Sequence, residues 1–506
     1  MERLSGLDAT FLYIETPKNQ LHMTGVLVFD PATMPGGYSF DRMREFVRGR
    51  LPLSPAFTRR LAKVPFGIAH PVWVEDPDFD VEAHLHRLAC PAPGGPRELG
   101  ELAGEIAGWP LDRSRPLWDM WFIEGLEHGH VALVAKMHHA TIDGVSGANL
   151  MMHLFDLEPD PAPAAAQDPP APEHVPSELE LLAYGIWSRV RRPLLLPGAL
   201  AGTARGVFEL TRRRLQRGSA GMATPFTAPP TPFNAAITPH RNVAFTSVSL
   251  ADVRAVKDAF GTTVNDVILA VCAGAIRAWL EEHGGLPDRP LIAGVPVSTR
   301  GEDEAAGFGA NLISAMFVSL ATDIDDPVER LLAIRESTKG AKEEFRAVGA
   351  DALQNWTEFS GPRLFGLAVR LYSQMELADL HPPALNFLVS NVPGPPLPLY
   401  FAGGRLMALY PLGPVFDGMG LNLTVLSYMD QVGFGLLACR ELVPDLWDLA
   451  EGMGVALDEL TTRAKGQPKA RAARTSKRAR PPARPSPKPR RVPSARTRSA
   501  PRSRNG

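Results

Sequence analysis

The stretch "KMHHATIDGVSG" (136–147) decides how this chain is read. It closes an apolar run, "HVALVAKMHH" (130–139), of the kind required of a strand buried on both faces. Two histidines stand side by side at its end, and Asp143-Gly144 follows. Neighbouring side chains on a strand point to opposite faces, so His138 and His139 cannot share one job. That weakens a metal site built on both, and no HExxH or paired-cysteine spacing supports one. A histidine at a strand's end, before a turn, suits a general base: it is held rigidly and still reaches a ligand. Asp143 fits a helix N-cap or an Asx turn, or a buried carboxylate that holds the loop through a salt bridge. Gly144 fits a backbone shape that a Cβ would resist.

Outward from this motif, "LHMTGVLVFD" (21–30) and "PLWDMWFIEGL" (116–126) read as strands, the second turning into 130–139 around Glu127–Gly129. "FDRMREFVRGRL" (40–51) and "GANLMMHLFDL" (147–157) read as helices. Further on, 241–250, 290–298 and 384–391 read as strands, and 421–439 as a hairpin turning near Asp430. "TVNDVILAVCAGAIRAWLEEHGG" (263–285) reads as a helix with a Thr263/Asp266 capping box and a stop at Gly284. The pattern is α/β, an α+β arrangement of two layers in each of two similar halves.

Proline density in "EPDPAPAAAQDPPAPEHVPSE" (158–178) forbids helix interior and sheet centre, so it reads as a linker. The domains are therefore expected at 1–157 and 220–462, with 158–219 as linker and insert. Within the insert, Leu179, Leu182, Ile186 and Val190 repeat at helical spacing, and a basic cluster lies at 212–217. Such a segment lies on an anionic membrane surface or crosses from one domain to the other.

The chain has 506 residues and 45% hydrophobic content, enough for a large core. Its net charge of −2 hides an asymmetry. Residues 463–506 hold 16 Lys or Arg and no acid, which leaves 37 basic against 55 acidic residues in 1–462. The tail is rich in Pro, Ala and Ser and reads as disordered. Three scattered cysteines (Cys90, Cys272, Cys439) fit a reducing cytoplasm rather than a disulfide scaffold. No signal peptide or membrane span is read from the sequence.

The whole pattern His-His-x-x-x-Asp-Gly at 138–144 resembles the active-site motif of the chloramphenicol acetyltransferase-like superfamily of CoA-dependent acyltransferases. The flanking stretches narrow this: "LSGLDATFLYIETPKNQLHMTGVLVFD" (4–30), "SRPLWDM" (114–120), "TVNDVILA" (263–270), "PVSTR" (296–300) and "VSNVPGPP" (389–396). In this order they are similar to the bacterial wax ester synthase/diacylglycerol acyltransferase family, over most of 1–462. "GAN" at 309–311 departs from the expected Gly-Asn pair and puts only the role of Asn311 in doubt.

The resemblance implies two chloramphenicol acetyltransferase-like domains with a cleft or tunnel between them, and His139 as the base. It implies an ion pair between Asp143 and Arg300 and a supporting role for His138. Asn265 opens a helix and could donate to substrate or oxyanion; Asp266 is the cap. Ser390 and Asn391 line the tunnel or serve the Pro-rich turn after them. The expected substrates are acyl-CoA and diacylglycerol or a long-chain fatty alcohol, with no cofactor and no metal. The alternatives are a polar hydroxyl or amine acceptor, or a non-catalytic lipid-inclusion protein. The expected setting is cytoplasmic, with peripheral contact to a membrane or lipid inclusion. The tail is not read as a nucleic-acid-binding element. Anionic headgroups attract its charge as well as phosphate polymers do. Deleting 463–506 and comparing membrane sedimentation with nucleic-acid retention separates the two.

Overall fold

In the computed structural model, the described residues are 2–51, 54–141, 154–160, 176–188, 190, 223–224, 226–298, 313–348 and 362–466. Contacts divide the chain after Gln467, and the unit beyond it lies outside the described residues.

In chain order the main elements begin with β1 (Glu2–Arg3), α1 (Gly6–Ile14), β2 (His22–Asp30) and α2 (Phe40–Arg50). Then come β3 (Arg59–Ala62), β4 (Val72–Glu75), β5 (Leu85–Ala89), α3 (Pro96–Gly108), β6 (Trp118–Glu124) and β7 (Val131–His138). After the linker follow β8 (Arg241–Ser249), α4 (Leu250–Phe260), α5 (Val264–Glu282), β9 (Ile292–Ser298) and β10 (Ile313–Ser319). The rest are α6 (Pro327–Val348), α7 (Pro362–Gln374), β11 (Phe387–Pro393), β12 (Tyr400–Phe401), β13 (Gly404–Leu412), β14 (Leu421–Tyr428), β15 (Gln431–Cys439) and α8 (Leu446–Lys465).

Two six-stranded sheets carry the fold, in the orders β12-β13-β2-β7-β6-β5 and β10-β9-β11-β14-β15-β8. The apolar run 130–139 becomes β7, interior to the first sheet, with Val134 opposite Val26 on one side and Trp121 on the other. Ala132 and Val134 pack with Leu99, Ala103 and Ile106 of α3. Leu133 packs on the opposite face with Met43 and Val47 of α2. Both faces are covered, which explains why the run is apolar without alternation. The second sheet packs against α4, α5 and α8. As read from the sequence, α5 carries the Thr263/Asp266 capping box and stops at Gly284, whose φ is +63°. The hairpin β14–β15 turns through Met429 and Asp430, with Tyr428 opposite Gln431.

Four features differ from the sequence reading. The helix expected at 147–157 is not continued at its C-terminal end. Residues 154–157 form a turn and a bridge from Asp156 to Tyr400, while 147–153 lie outside the described residues. β11 runs on to Pro393 instead of ending at Asn391, and α8 runs to Lys465, with Arg463 on Asp326. The first sheet also takes β12 and β13 from the far side of the linker. A hydrophobic pattern shows that a strand exists but not which sheet it joins.

In the insert, 178–188 is helical and packs Leu181 against Val72 and Val74 of the small sheet β1-β4-β3. Gly185 sits against Val64 and Ile68. Leu179, Ile186 and Val190, of the stripe singled out in the sequence, face outward and are more than half exposed. Residues 191–222 lie outside the described residues.

The two sheets meet where β15 crosses β13. A Cβ on Gly435 would stand 2.0 Å from the carbonyl oxygen of Pro411, and one on Gly433 2.9 Å from that of Leu409. Gly435→Val is therefore expected to destabilise the fold by about 3 kcal/mol or more. The open helical position Gly454, with nothing within 4 Å of a Cβ, gives the control: Gly454→Ala is expected to be neutral or stabilising. Urea midpoints of the two variants check this.

Candidate active site

The end of β7 is clamped from both sides. The His138 amide donates to the Leu117 carbonyl (2.9 Å), and the His139 amide donates to the Leu21 carbonyl (2.8 Å). Thr141 N–H then closes a turn onto the His138 carbonyl at 2.9 Å. The two imidazoles have separate surroundings, as their adjacency requires. His139 stacks on Phe11, with ring centroids 4.2 Å apart and planes 22° from parallel. His138 is 1% exposed and turns to Glu15, its Nε2 3.2 Å from Oε2.

Phe11 and Glu15 both come from the end of α1. Ser5 caps this helix through the Asp8 amide, and Glu15 is the extended residue just past its C-terminal end. Four residues apart, the two side chains share one face, so a single helix meets both histidines. The Glu15 carboxylate also receives the Arg113 guanidinium, and His22 Nε2 approaches Oε1 at 3.4 Å. His22 lies directly across the β2–β7 ladder from His138, with ring centroids 5.7 Å apart.

Burial alone would raise the Glu15 carboxyl, but His138, His22 and Arg113 together hold it far below the usual carboxylate range. Burial pushes His22 down to about 4 and lowers His138 as well. At neutral pH the cluster is thus one ion pair, Arg113–Glu15, flanked by two neutral imidazoles. Glu15, His22 and His138 offer three donor atoms within 4.8 Å of one another, a spacing a cation could bridge. Arg113 already supplies positive charge to that carboxylate. Two residues before His138, buried Lys136 donates to the Ile106 and Trp109 carbonyls at the C-terminus of α3, over the Trp121 ring. A cation is favoured at that end of a helix.

The residues singled out in the second half fall into two places. Asn265, at the start of α5, accepts from Asn391 Nδ2 at 3.3 Å, so those two amides meet. Ser390 is adjacent to Asn391 on β11 and therefore faces the other side. Asp266 is the cap, also receiving Thr338 Oγ1 at 2.7 Å. Asp143, Gly144 and Arg300 lie outside the described residues. Leu117 and Trp118, of the "SRPLWDM" stretch, are buried, and the Leu117 carbonyl is one of the two clamps on β7.

Sequence reasoning did not assign roles to Phe11, Glu15, His22 or Arg113. The signal was a short helix ending at Ile14, with Glu15 next, ahead of the strand that begins at His22.

His22 gives a pH test. Its imidazole takes up a proton near pH 6.5 unfolded but only near 4 folded. Between those values the unfolded chain holds the extra proton, so stability falls as pH falls. His22→Gln is expected to remove about 3 kcal/mol of the loss between pH 6.5 and 4. A residual slope would remain from His138, lowered in the same direction, and below pH 5 from Glu15, whose depressed carboxyl acts likewise. Urea titrations across this range check both.

The sequence pattern of the wax ester synthase/diacylglycerol acyltransferase catalytic domain matches residues 4–268, and that of the family's C-terminal domain matches 309–461. The chain is similar to a Mycobacterium tuberculosis relative carrying a provisional diacylglycerol O-acyltransferase name: 44% identity over 470 residues, 92% of each chain. A second relative from that organism, with the same kind of name, is 36% identical over 453 residues, 90% of this chain and 94% of its own. Among solved structures, the chain is similar to the wax ester synthase/diacylglycerol acyltransferase from Marinobacter aquaeolei VT8. The TM-score is 0.63 at 29% identity, covering 91% of this chain and 99% of that one. The first condensation domain of the CDA synthetase shares the fold, with a TM-score of 0.53 at 15% identity over 92% and 96% of the two chains. With both domain patterns in order along the chain and a relative at 44% identity, this protein belongs to the wax ester synthase/diacylglycerol acyltransferase family.

Proposed function

We propose that this chain moves a fatty acyl group from acyl-CoA directly to diacylglycerol or a long-chain alcohol, with His139 as general base. One observation carries the reading. The His139 backbone is pinned to the Leu21 carbonyl and its ring to Phe11, while the neighbouring imidazole is occupied by Glu15. The two imidazoles thus have separate surroundings, and the resemblance of the motif gives the chemistry to the second of them and support to the first.

An alcohol is too weakly acidic to attack unaided. The His139 imidazole takes the hydroxyl proton as the oxygen adds to the thioester carbonyl. The tetrahedral adduct then expels CoA as its C–S bond breaks, and the imidazolium returns the proton to the sulfur. Asn265 is the amide that donates to substrate or oxyanion in this reading, and Asn391, whose Nδ2 donates to the Asn265 carbonyl oxygen, lines the tunnel beside it. The thioester is already activated, so the reaction needs no resident cofactor or metal. Direct transfer is favoured over an acyl-cysteine by the state of the thiols. All three cysteines are buried, and burial pushes Cys272 up to about 12.

The acyl chains reach the enzyme from a lipid surface in this reading. Among the described residues, no single helix is long and apolar enough to cross a membrane. The outward residues Leu179, Ile186 and Val190 of the stripe, with exposed Trp187 beside them, support peripheral contact instead, because such a patch is costly to leave in water.

His139→Ala is expected to lower CoA release with hexadecanol or diacylglycerol by about 100-fold or more, with folding kept. Retention of the parent rate would sink the assignment, and release with polar acceptors alone would replace the acceptor class. Ile186→Glu with Val190→Glu is expected to reduce sedimentation with anionic vesicles while leaving turnover of a soluble short-chain substrate unchanged.

A further inference from the structure

Two hydrogen bonds fix where the proton of His138 sits. The Ala140 amide, a donor only, points at Nδ1 at 3.0 Å, so Nδ1 must accept. The ring is buried and its protonation is disfavoured, so its single proton is on Nε2, which donates to Glu15 at 3.2 Å. We infer that Glu15 is a positioning residue for acyl transfer: it locks His138 as the Nε2–H tautomer, and that tautomer shapes the turn carrying His139.

The chain of contacts is short. Glu15 accepts from His138, His138 accepts from the amide of Ala140, and Ala140 is the residue after His139. If the proton moved to Nδ1, it would confront the Ala140 N–H, donor against donor, and the turn would have to open. One turn back on the same helix, Phe11 stacks on His139, so the end of α1 holds the imidazole from its ring as well as from its backbone. Against its burial, the hydrogen bonds from His138 and His22 and the Arg113 guanidinium keep Glu15 ionised, which makes it the stronger acceptor for Nε2–H. Glu15 itself touches no reacting atom in this account.

The inference rests on the reading of His139 as the base, and its test separates the two. The full-length chain is labelled with 15N-histidine, and His138 is assigned by loss of its signals in His138→Gln. The Nε2–H tautomer is expected in the parent at pH 7. Glu15→Ala is expected to lower kcat by about 100-fold with palmitoyl-CoA and hexadecanol, while KM for the thioester changes by less than about threefold. Glu15→Gln, whose amide oxygen can still accept Nε2–H, is expected to recover about tenfold of that loss although the ion pair with Arg113 is gone. A merely structural role predicts the reverse: Gln fails with Ala, and both losses follow the fraction unfolded. An Nδ1–H or doubly protonated His138 in the parent overturns the inference, as does a parent-like kcat in Glu15→Ala. If Glu15→Ala does not fold, the parent tautomer and Glu15→Gln decide. An inactive His139→Ala beside fully active Glu15 variants sinks this inference alone. An active His139→Ala sinks the assignment of the base, whatever the tautomer.

Discussion

The structure depends on the end of β7 being held in a ladder on both sides. β7 is an interior strand, and its last amides reach the carbonyls of Leu117 and Leu21 at the point where the chain must leave the sheet. Hydrogen bonds from two neighbouring segments leave the backbone little freedom there. A side chain on such an end is placed more closely than one on a loop. The apolar faces of β7, covered by α2 and α3, keep the strand from slipping, since a one-residue slip would turn Lys136 and His138 to the wrong side.

Charge inside this region is balanced locally. Glu15 is paired with Arg113, and Lys136 is spent on the C-terminal carbonyls of α3. A buried ion pair adds little net stability, but losing one partner is costly because the other is left unpaired. What the Arg113–Glu15 pair contributes is direction: it orients an acceptor toward His138 at the place where the helix and the sheet meet. The same economy holds in the second half, where Asp266 serves both the cap of α5 and Thr338.

Much of this was legible in the sequence, for physical reasons. β7 announced itself because a doubly covered strand has to be apolar throughout. The Thr263/Asp266 box and Gly284 marked α5 because helix ends need partners for their free amides and carbonyls. The separate surroundings of His138 and His139 followed from strand geometry. The partner of His138 was not legible. Glu15 lies more than a hundred residues earlier, and nothing in a helical pattern says which strand end it will meet. The outward stripe of 178–190 was legible as a stripe, but its exposure was not, because periodicity does not tell a covered face from an open one. The reach of β13 across the linker was hidden for the same reason as Glu15.

That reach has a consequence for biosynthesis. β2 is among the first strands to leave the ribosome, and its outer edge pairs with β13, from Arg405 opposite Asp30 to Leu412 opposite Thr24. Until nearly the whole chain has been translated, that edge presents unpaired amides and carbonyls, the kind of surface that recruits foreign strands. The nascent N-terminal half therefore waits, open along one border, for a segment made late. Its vulnerable period in the cell is set by translation time, and a chaperone that shields β2 would serve this protein better than one that acts after release.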